Sequence, residues 1–464
     1  MNNLSEEDVS RSITDFETKH DLFSIQVDGI SPWQLIRHVI IQKFQKLPYS
    51  KPRLSNWDIF FACVKGLQFW KLISAVGCNY VAFGPCSSYR QRVDDKFRDV
   101  LLDDILEAIP RGQKMVTLNG TGFAKNIKNA FFPPYDVTLF SYVASILARI
   151  FPYRHGGNEF LVVSKFANQF LGVNSFSAAY IKRLYGKIYW QTILYQRLIH
   201  FLKPRFCFDS SVANYALINA CKKEKVVYVL LQHGVLTKHS RFIVSAQFES
   251  CNLLLPDFIA VYGKYWEAEL LESYFGIKKR VVSIGSGVID QHLENKNLKK
   301  RTKTILLTSQ GVDSDNLINF ISKFLALSNS KFEFVFRLHP TYDLPLHFYE
   351  NVFKNDRRVR VCDGSGGETL YELLSRSDLH MSIYSACHFD AISLGVPSVV
   401  LKLEGYKTMS NLIDSGVVLL VETPKDLADL VSCDDLNHKL DPASMEYFCK
   451  RGFKKNILDF YNSL

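Results

Sequence analysis

The chain has ten cysteines but no Cys-x-x-Cys pair. This removes zinc-finger spacing, and several thiols (Cys63, Cys78, Cys207, Cys221) fall in apolar runs, where a thiol acts as a small hydrophobe. Free thiols in a reducing cytosol are expected rather than a disulfide framework. No clean stretch of about 20 apolar residues is present. Lys65 and Lys71 break the window from Trp57 to Val76, and Arg149 breaks the one from Val137 to Phe151, so no membrane span is expected. The opening MNNLSEEDVSRS is polar and acidic, which is not the pattern of a secretory leader. Internal repeats, low-complexity tracts, metal-ligand spacings and nucleic-acid-binding signatures are also missing. No cofactor, no metal and no nucleic-acid partner are therefore expected.

Against these absences stand 464 residues, enough for two or three domains, with 47% apolar and 22% charged residues. Disorder is not the default for such a composition. The formal charge is +10. A positive balance suits an anionic substrate, an anionic polymer or an anionic membrane face. The 35 Phe, 22 Tyr and 5 Trp exceed what one core needs. Basic and aromatic residues interleave from Trp57 to Lys71 and from Tyr180 to Arg197, so amphipathic helices are expected there, packing into the first domain or making a peripheral membrane contact.

The pattern of elements is α/β. Apolar, β-branched runs read as strands at Tyr80–Phe83, Met115–Leu118, Phe206–Phe208, Val226–Leu231, Phe258–Val261 and Val281–Ile284. A second series reads as strands at Thr304–Leu307, Phe332–Phe336, Val359–Val361, Leu379–Ile383, Ser398–Leu401 and Val417–Leu420. Helices fall between most of them, which predicts parallel strands with right-handed crossovers. The first ~20 residues read as loosely attached. Ser31 and Pro32 start a helix through Gln34 to Lys46, Phe97 to Ile109 reads as helix, and helical sequence runs from Asn158 to Leu202.

Two segments carry most of the chemistry. Phe332 to Leu338 ends in His339-Pro340, and Leu379 to Ile383 ends in Tyr384-Ser385 before a helix-like stretch to Leu394. In open α/β sheets ligands sit outside the carboxyl ends of strands, where helix N-termini suit a phosphate. Proline holds His339 extended, and Ser385 sits at a helix start. Asp390 lies one turn into that helix, facing the cleft or serving as an ordinary helix-start acid. Ser309-Gln310-Gly311 follows the Thr304 strand as a small-residue loop that a ligand can approach. Glu368 follows Gly364-Ser365-Gly366-Gly367, a loop able to cradle a base or ribose. Arg337 stays open between phosphate and a buried carboxylate.

In the first half Asp209 and His233-Gly234 end neighbouring strands and open toward a cleft. Transfer to a hydroxyl needs a carboxylate or imidazole as base, or a carboxylate nucleophile. Asp209 suits either role, or a helix cap. Lys238, His239 and Arg241 form a basic cluster, as suited to an anionic ligand as to plain surface.

The His-Pro element followed by a serine-containing strand-to-helix turn, with Val229 to Gly234 (VLLQHG) upstream, resembles the two-domain GT-B glycosyltransferases of bacterial capsule and surface-polysaccharide biosynthesis. It is most similar to enzymes using CMP-activated Kdo or sialic acid, or CDP-glycerol. The segment Asp257 to Asp290, with Gly285-Ser286-Gly287, matches the approach to the second domain in that group. The resemblance implies two Rossmann-like domains facing a cleft. Residues 1–285 would form the acceptor side, 286–440 would bind the nucleotide-sugar donor, and 441–464 would be a helix returning to the first domain. It implies a metal-independent glycosyltransferase with Ser309, Gln310, Gly311, His339, Pro340, Glu368, Ser385 and Asp390 on the donor. Asp209 and His233 would be catalytic, and Arg90, Asp94, Lys238 and Arg241 would meet a glycan or lipid-linked oligosaccharide acceptor. A cytoplasmic setting, peripheral on the anionic inner membrane, follows from the same resemblance. The chain departs from the acidic-acidic-Gly element of sialyltransferases, since Asp94-Asp95 precedes Lys96. A nucleotide-sugar 2-epimerase shares the same plan, and a non-catalytic glycan-binding or assembly subunit is the reading from another class.

Overall fold

The computed structural model describes residues 6–45, 64, 69–84, 89–93, 96–109, 115–119, 129–210, 214–294, 303–311, 313–339, 342–364, 368–433 and 440–464. The strands in chain order are β1 (Tyr80–Gly84), β2 (Tyr89–Val93), β3 (Lys96–Asp99), β4 (Met115–Asn119), β5 (Tyr135–Asp136), β6 (Phe206–Asp209), β7 (Val227–Leu231), β8 (Phe258–Val261) and β9 (Val281–Ser283). They continue with β10 (Thr304–Thr308), β11 (Glu333–Arg337), β12 (Val359–Cys362), β13 (Leu379–Ser382), β14 (Ser398–Leu401) and β15 (Leu419–Val421). Two parallel sheets result. The first runs β5-β4-β1-β6-β7-β8-β9 and the second β12-β11-β10-β13-β14-β15. The chain is thus an α/β protein with two doubly wound parallel sheets, as expected.

Strand parity decides the layers, since successive side chains point to opposite faces. In the first sheet Val81, Phe83, Cys207 and Tyr228 face the helices Ala178–Leu202 and Tyr215–Lys223. Tyr80, Ala82, Phe206, Phe208 and Val229 face the other way, onto Leu102, Ile105 and the last helix, Phe453–Ser463. That helix buries Phe453, Ile457 and Phe460 against strands of the first sheet. Each such side chain contributes about 1.5–3 kcal/mol by burial. In the second sheet Ile305, Leu307, Phe334 and Phe336 meet Ser314–Leu327, while Leu306 and Val335 meet Leu373, Leu374 and Ala391.

The two halves touch through apolar side chains. The rings of Trp266 and Phe389 lie 4.5 Å apart. Lys450 N donates to the Tyr262 carbonyl at 2.9 Å. Gly285, at φ +85°, lies so near the Lys450 carbonyl that a Cβ would sit 2.2 Å from it. Asp290 caps the final helix by accepting from Phe453 N at 2.7 Å.

Four expectations change. Phe97 to Asp99 is strand, not helix, because Lys96–Asp99 pairs antiparallel with Tyr89–Val93, and helix begins only at Asp103. The last ~20 residues form two helices, Pro442–Phe448 and Phe453–Ser463, broken before Gly452 at φ +78°. The amino-terminal segment is docked: helix Glu6–Lys19 buries Val9 and Ile13, and Glu17 accepts from Trp33 Nε1 and Arg37 Nε, both at 2.7 Å. Ser31 holds the cap position of helix Pro32–Phe44, yet its hydroxyl donates to the Leu22 carbonyl instead.

Candidate functional site

Strands β11, β10 and β13 are neighbours, so their carboxyl ends share one edge. Asp343 ties two of them together. Its carboxylate accepts from Ser309 Oγ at 2.8 Å, Tyr349 OH at 2.7 Å and His339 N at 2.5 Å. His339 Nδ1 accepts from Tyr342 N at 3.3 Å, and the two rings stack with centroids 4.5 Å apart. Gln310 reaches across to β13, its Oε1 accepting from Tyr384 N at 3.0 Å. Ser382 Oγ donates to the Thr308 carbonyl at 2.6 Å. Ser385 Oγ accepts from Cys387 N at 3.2 Å, one position before the cap of helix Cys387–Ser393. These cross-ties bring Ser309, Gln310, His339 and Ser385 onto one edge. Gly311 has another reason for its identity: at φ +65° its Cβ would sit 2.3 Å from the Tyr342 backbone. The chain itself approaches this glycine. Pro340 lies outside the described residues.

Two donor-side expectations meet a different environment. Glu368 is held by Arg376 Nη1 at 2.7 Å and Arg360 Nη1 at 3.1 Å, so its oxygens serve two guanidinium groups. Burial pushes the Asp390 carboxyl up to about 7, while a hydrogen bond with Tyr371 opposes that rise. Tyr262 of the first half packs against the cluster that contains Ala391, next to Asp390, and burial followed by the Asp390 charge raises its hydroxyl. Asp390 therefore belongs to the contact between halves.

Beneath the edge runs a buried polar chain. Thr308 Oγ1 meets His380 Nε2 at 2.9 Å, and His380 Nδ1 and His388 Nδ1 each meet Ser398 Oγ at 2.7 Å. Burial depresses both imidazoles, His388 to about 3, so each is neutral near pH 7.

On the first sheet, Asp209 does not open to the cleft as expected. It is fully buried, and its carboxylate accepts from Tyr228 OH and, at 3.3 Å, from Asn214 Nδ2. The cause is parity: Asp209 shares the face of Cys207, which packs on the helices. His233, by contrast, is exposed beyond β7. Its loop is fixed by Gln232, whose Oε1 accepts from Tyr262 N at 3.0 Å and whose Nε2 donates to the Gly234 carbonyl at 2.9 Å. Lys238 is ion-paired with Glu272. Arg241 is exposed, and its carbonyl accepts from Arg37 Nη1 at 2.8 Å. Asp94 and the Arg90 side chain lie outside the described residues.

The carboxylates nearest the end of β1 come from β3 and the helix after it. Gly84 abuts Asp99 so closely that a Cβ would sit 2.7 Å from Asp99 Oδ2 and 3.5 Å from Ser210 Oγ. Asp103 Oδ2 accepts from Asp99 N at 3.0 Å, and burial pushes its carboxyl up to about 7. Asp103 Oδ1 and Ser210 Oγ are buried without hydrogen-bond partners among the described residues. Reading Phe97–Ile109 as one helix hid this group. The alternating Lys-Phe-Arg-Asp of 96–99 was the available signal. Among the described residues no group of three or more His, Cys, Asp or Glu could hold a metal ion. None of the described helices is long and apolar enough to cross a membrane.

The chain matches no family model and no curated protein. It is similar to solved structures. One is MnaA from S. aureus with UDP, at 13% identity and TM-score 0.50, covering 83% of this chain and 97% of that one. Others are the wall teichoic acid polymerase TagF (13%, 0.49, 88% and 98%) and MurG from Acinetobacter baumannii (12%, 0.48, 83% and 100%). The likeness to MnaA is one of fold.

Proposed function

We propose that this chain is a glycosyltransferase that moves a sugar from a nucleotide donor, held by the second half, to a surface-polysaccharide or lipid-linked glycan acceptor. The observation that carries the reading is the cross-tied edge of β10, β11 and β13, where an imidazole, an amide and two hydroxyls meet beside a helix start. Such an edge suits a nucleotide phosphate. The fold likeness to MnaA, whose structure was determined with UDP, supports a nucleotide ligand. The favoured donor is CMP-Kdo or CMP-sialic acid, on the resemblance of the His-Pro and serine elements.

In the proposed reaction the acceptor hydroxyl oxygen attacks the anomeric carbon. The bond from that carbon to the phosphate oxygen breaks, and the nucleotide leaves with the electron pair. His233, exposed and steadied by Gln232, is the proposed base that takes the hydroxyl proton. Asp209 supports β6 and β7 through Tyr228 instead of meeting substrate. The transfer is proposed to need no metal. Most of Trp57 to Lys71 lies outside the described residues; Tyr180 and Tyr189 of the other expected stretch are exposed, as are Ile146, Ile150 and Phe151 beside Arg149 and Arg154, and this is the proposed contact with an anionic membrane face.

The test is a thermal-shift screen against CMP, CDP, UDP and GDP, followed by transfer assays with the nucleotide that stabilises. A rise in melting temperature with CMP and sugar transfer from the matching donor support the reading. Release of UDP from a UDP-sugar without acceptor favours the 2-epimerase instead. Polysaccharide binding without nucleotide binding favours the assembly subunit.

A further inference from the structure

The carboxyl end of β11 holds a cation that forms no ion pair with a carboxylate among the described residues. Arg337 closes that strand, in register with Thr308 of β10 and Cys362 of β12. Its guanidinium lies directly over Gly364, where a Cβ would be 2.2 Å from Nη2 and 2.7 Å from Cζ. Gly364 is at φ +88°, so both the backbone and the guanidinium require glycine there. No ion pair to Arg337 forms among the described residues, and its Nη1 is buried with no hydrogen-bond partner.

Two further guanidinium groups share the surroundings. Arg360 is on the same face of β12, two residues before Cys362, and Arg376 ends helix Leu370–Arg376. Glu368 binds both, and Glu333 adds a bond to Arg360 at 3.0 Å. Even so, Arg360 Nη2 and Arg376 Nε are also buried without partners. Among the described residues, Glu333 and Glu368 pair with Arg360 and Arg376 only, and one buried nitrogen of each of the three guanidinium groups is left without a hydrogen-bond partner. Each such donor destabilises the fold, more so when charged, unless an acceptor arrives from outside. The helix that follows Ser385 starts from the same sheet edge, since Arg337 is in register with Thr308 of β10 and β10 is the neighbour of β13. Burial raises the thiols of Cys362 and Cys387, and the Arg337 guanidinium opposes that rise in both. A guanidinium is always charged and offers a planar fork that matches phosphate.

We infer that Arg337 is a phosphate-binding residue of the second half, placing its fork on a phosphoryl group of the donor nucleotide beside Ser385. Arg360 and Arg376 hold the floor of the subsite through Glu368, and Gly364 leaves room for the fork. The inference rests on the donor reading proposed above.

The experiment is calorimetric titration of the full chain with CMP, CDP and UDP, with cytidine and uridine, and with inorganic phosphate. The proteins are wild type, Arg337→Ala, Arg337→Lys and Gly364→Ala. Arg337→Ala is expected to weaken nucleotide binding about 10- to 100-fold while leaving nucleoside binding unchanged. Arg337→Lys should recover part of the loss, and Gly364→Ala, which displaces the guanidinium, should reproduce it. The melting temperature of ligand-free Arg337→Ala should equal or exceed that of wild type, because a half-buried guanidinium whose Nη1 has no hydrogen-bond partner among the described residues has gone. Equal nucleotide affinity in wild type and Arg337→Ala overturns the inference and leaves the donor reading standing. Equal losses for nucleoside and nucleotide, or a lowered melting temperature, assign Arg337 to structure and overturn it as well. Inorganic phosphate binding as tightly as nucleotide overturns it in favour of a free-phosphate site. No nucleotide binding by wild type overturns the donor reading and this inference together.

Discussion

The carboxyl edges of the two sheets differ in the groups they gather around a central tie, the Asp343 carboxylate in the second and Arg98 in the first. The second gathers donors: hydroxyls of Ser309 and Ser385, the His339 imidazole, and Arg337 with Arg360 and Arg376 behind it. The first gathers acids: Asp99, Asp103 and Asp104 close to Arg98, which bonds Asp104 at 3.1 Å and Glu107 at 2.9 Å. Burial pushes Asp103 up to about 7 and Asp104 up to about 6. The same strand-helix plan is built twice, yet one edge is equipped to hold an anion and the other to hold a proton near neutral pH. The difference lies in the loops and last strand residues, where a shared fold leaves side chains free to differ.

The largest expected effect comes from breaking the second edge at Asp343. Its carboxylate satisfies three donors from three elements, so Asp343→Ala should cost on the order of 3 kcal/mol in chemical denaturation. Asp343→Asn, which keeps one acceptor oxygen, should cost less. A loss under about 0.5 kcal/mol would show that the edge does not depend on this tie.

Next come the buried imidazoles. His388 is held to about 3 against an ordinary value near 6.5, so the folded state keeps it neutral while the unfolded state takes a proton. Its contribution is present above pH 6.5 and is lost as pH falls toward 3. Wild type should therefore lose on the order of 2 kcal/mol between pH 7 and pH 5. His388→Asn should flatten that arm. An equally steep arm in the variant would place the acid sensitivity elsewhere.

The carboxyls of the first edge act with opposite sign. Asp103 is raised, so its contribution is fully present below about pH 4 and is lost as pH climbs through about 7. Asp103→Asn keeps the acceptor for Asp99 N and should raise stability at pH 8 by about 1–2 kcal/mol. Asp104, and Asp390 of the second half, add to the same alkaline arm. A variant no more stable than wild type at pH 8 would show that water reaches Asp103. The smallest effect is expected at Lys238→Ala, whose ion pair with Glu272 is on the surface. Its melting temperature should match that of wild type.

These contrasts mark what the amino-acid sequence could disclose. Apolar, β-branched runs such as Thr304–Leu307 and Ser398–Leu401 placed most strands within a residue or two, because buried parallel strands read as continuous hydrophobic stretches. The edge formed by Ser309, Gln310, His339 and Ser385 was legible for the same reason, since each follows such a run. Asp209 was not, because position alone does not say which face of a strand carries the helices. The arginines on Glu368 come from β12 and from the helix behind it, a pairing no local spacing encodes. Short β3 reads as helix on its own, and only its pairing with β2 makes it a strand.

The central claim is that the second half holds a nucleotide by its phosphate. Its most direct test is calorimetric titration of wild type and His339→Ala with CMP, CDP, UDP and GDP. The account predicts saturable binding of one of these to wild type, with affinity about 10-fold or more weaker in His339→Ala at an unchanged melting temperature. Folded wild-type protein that binds none of the four, or binds one with the same affinity in both forms, would contradict it.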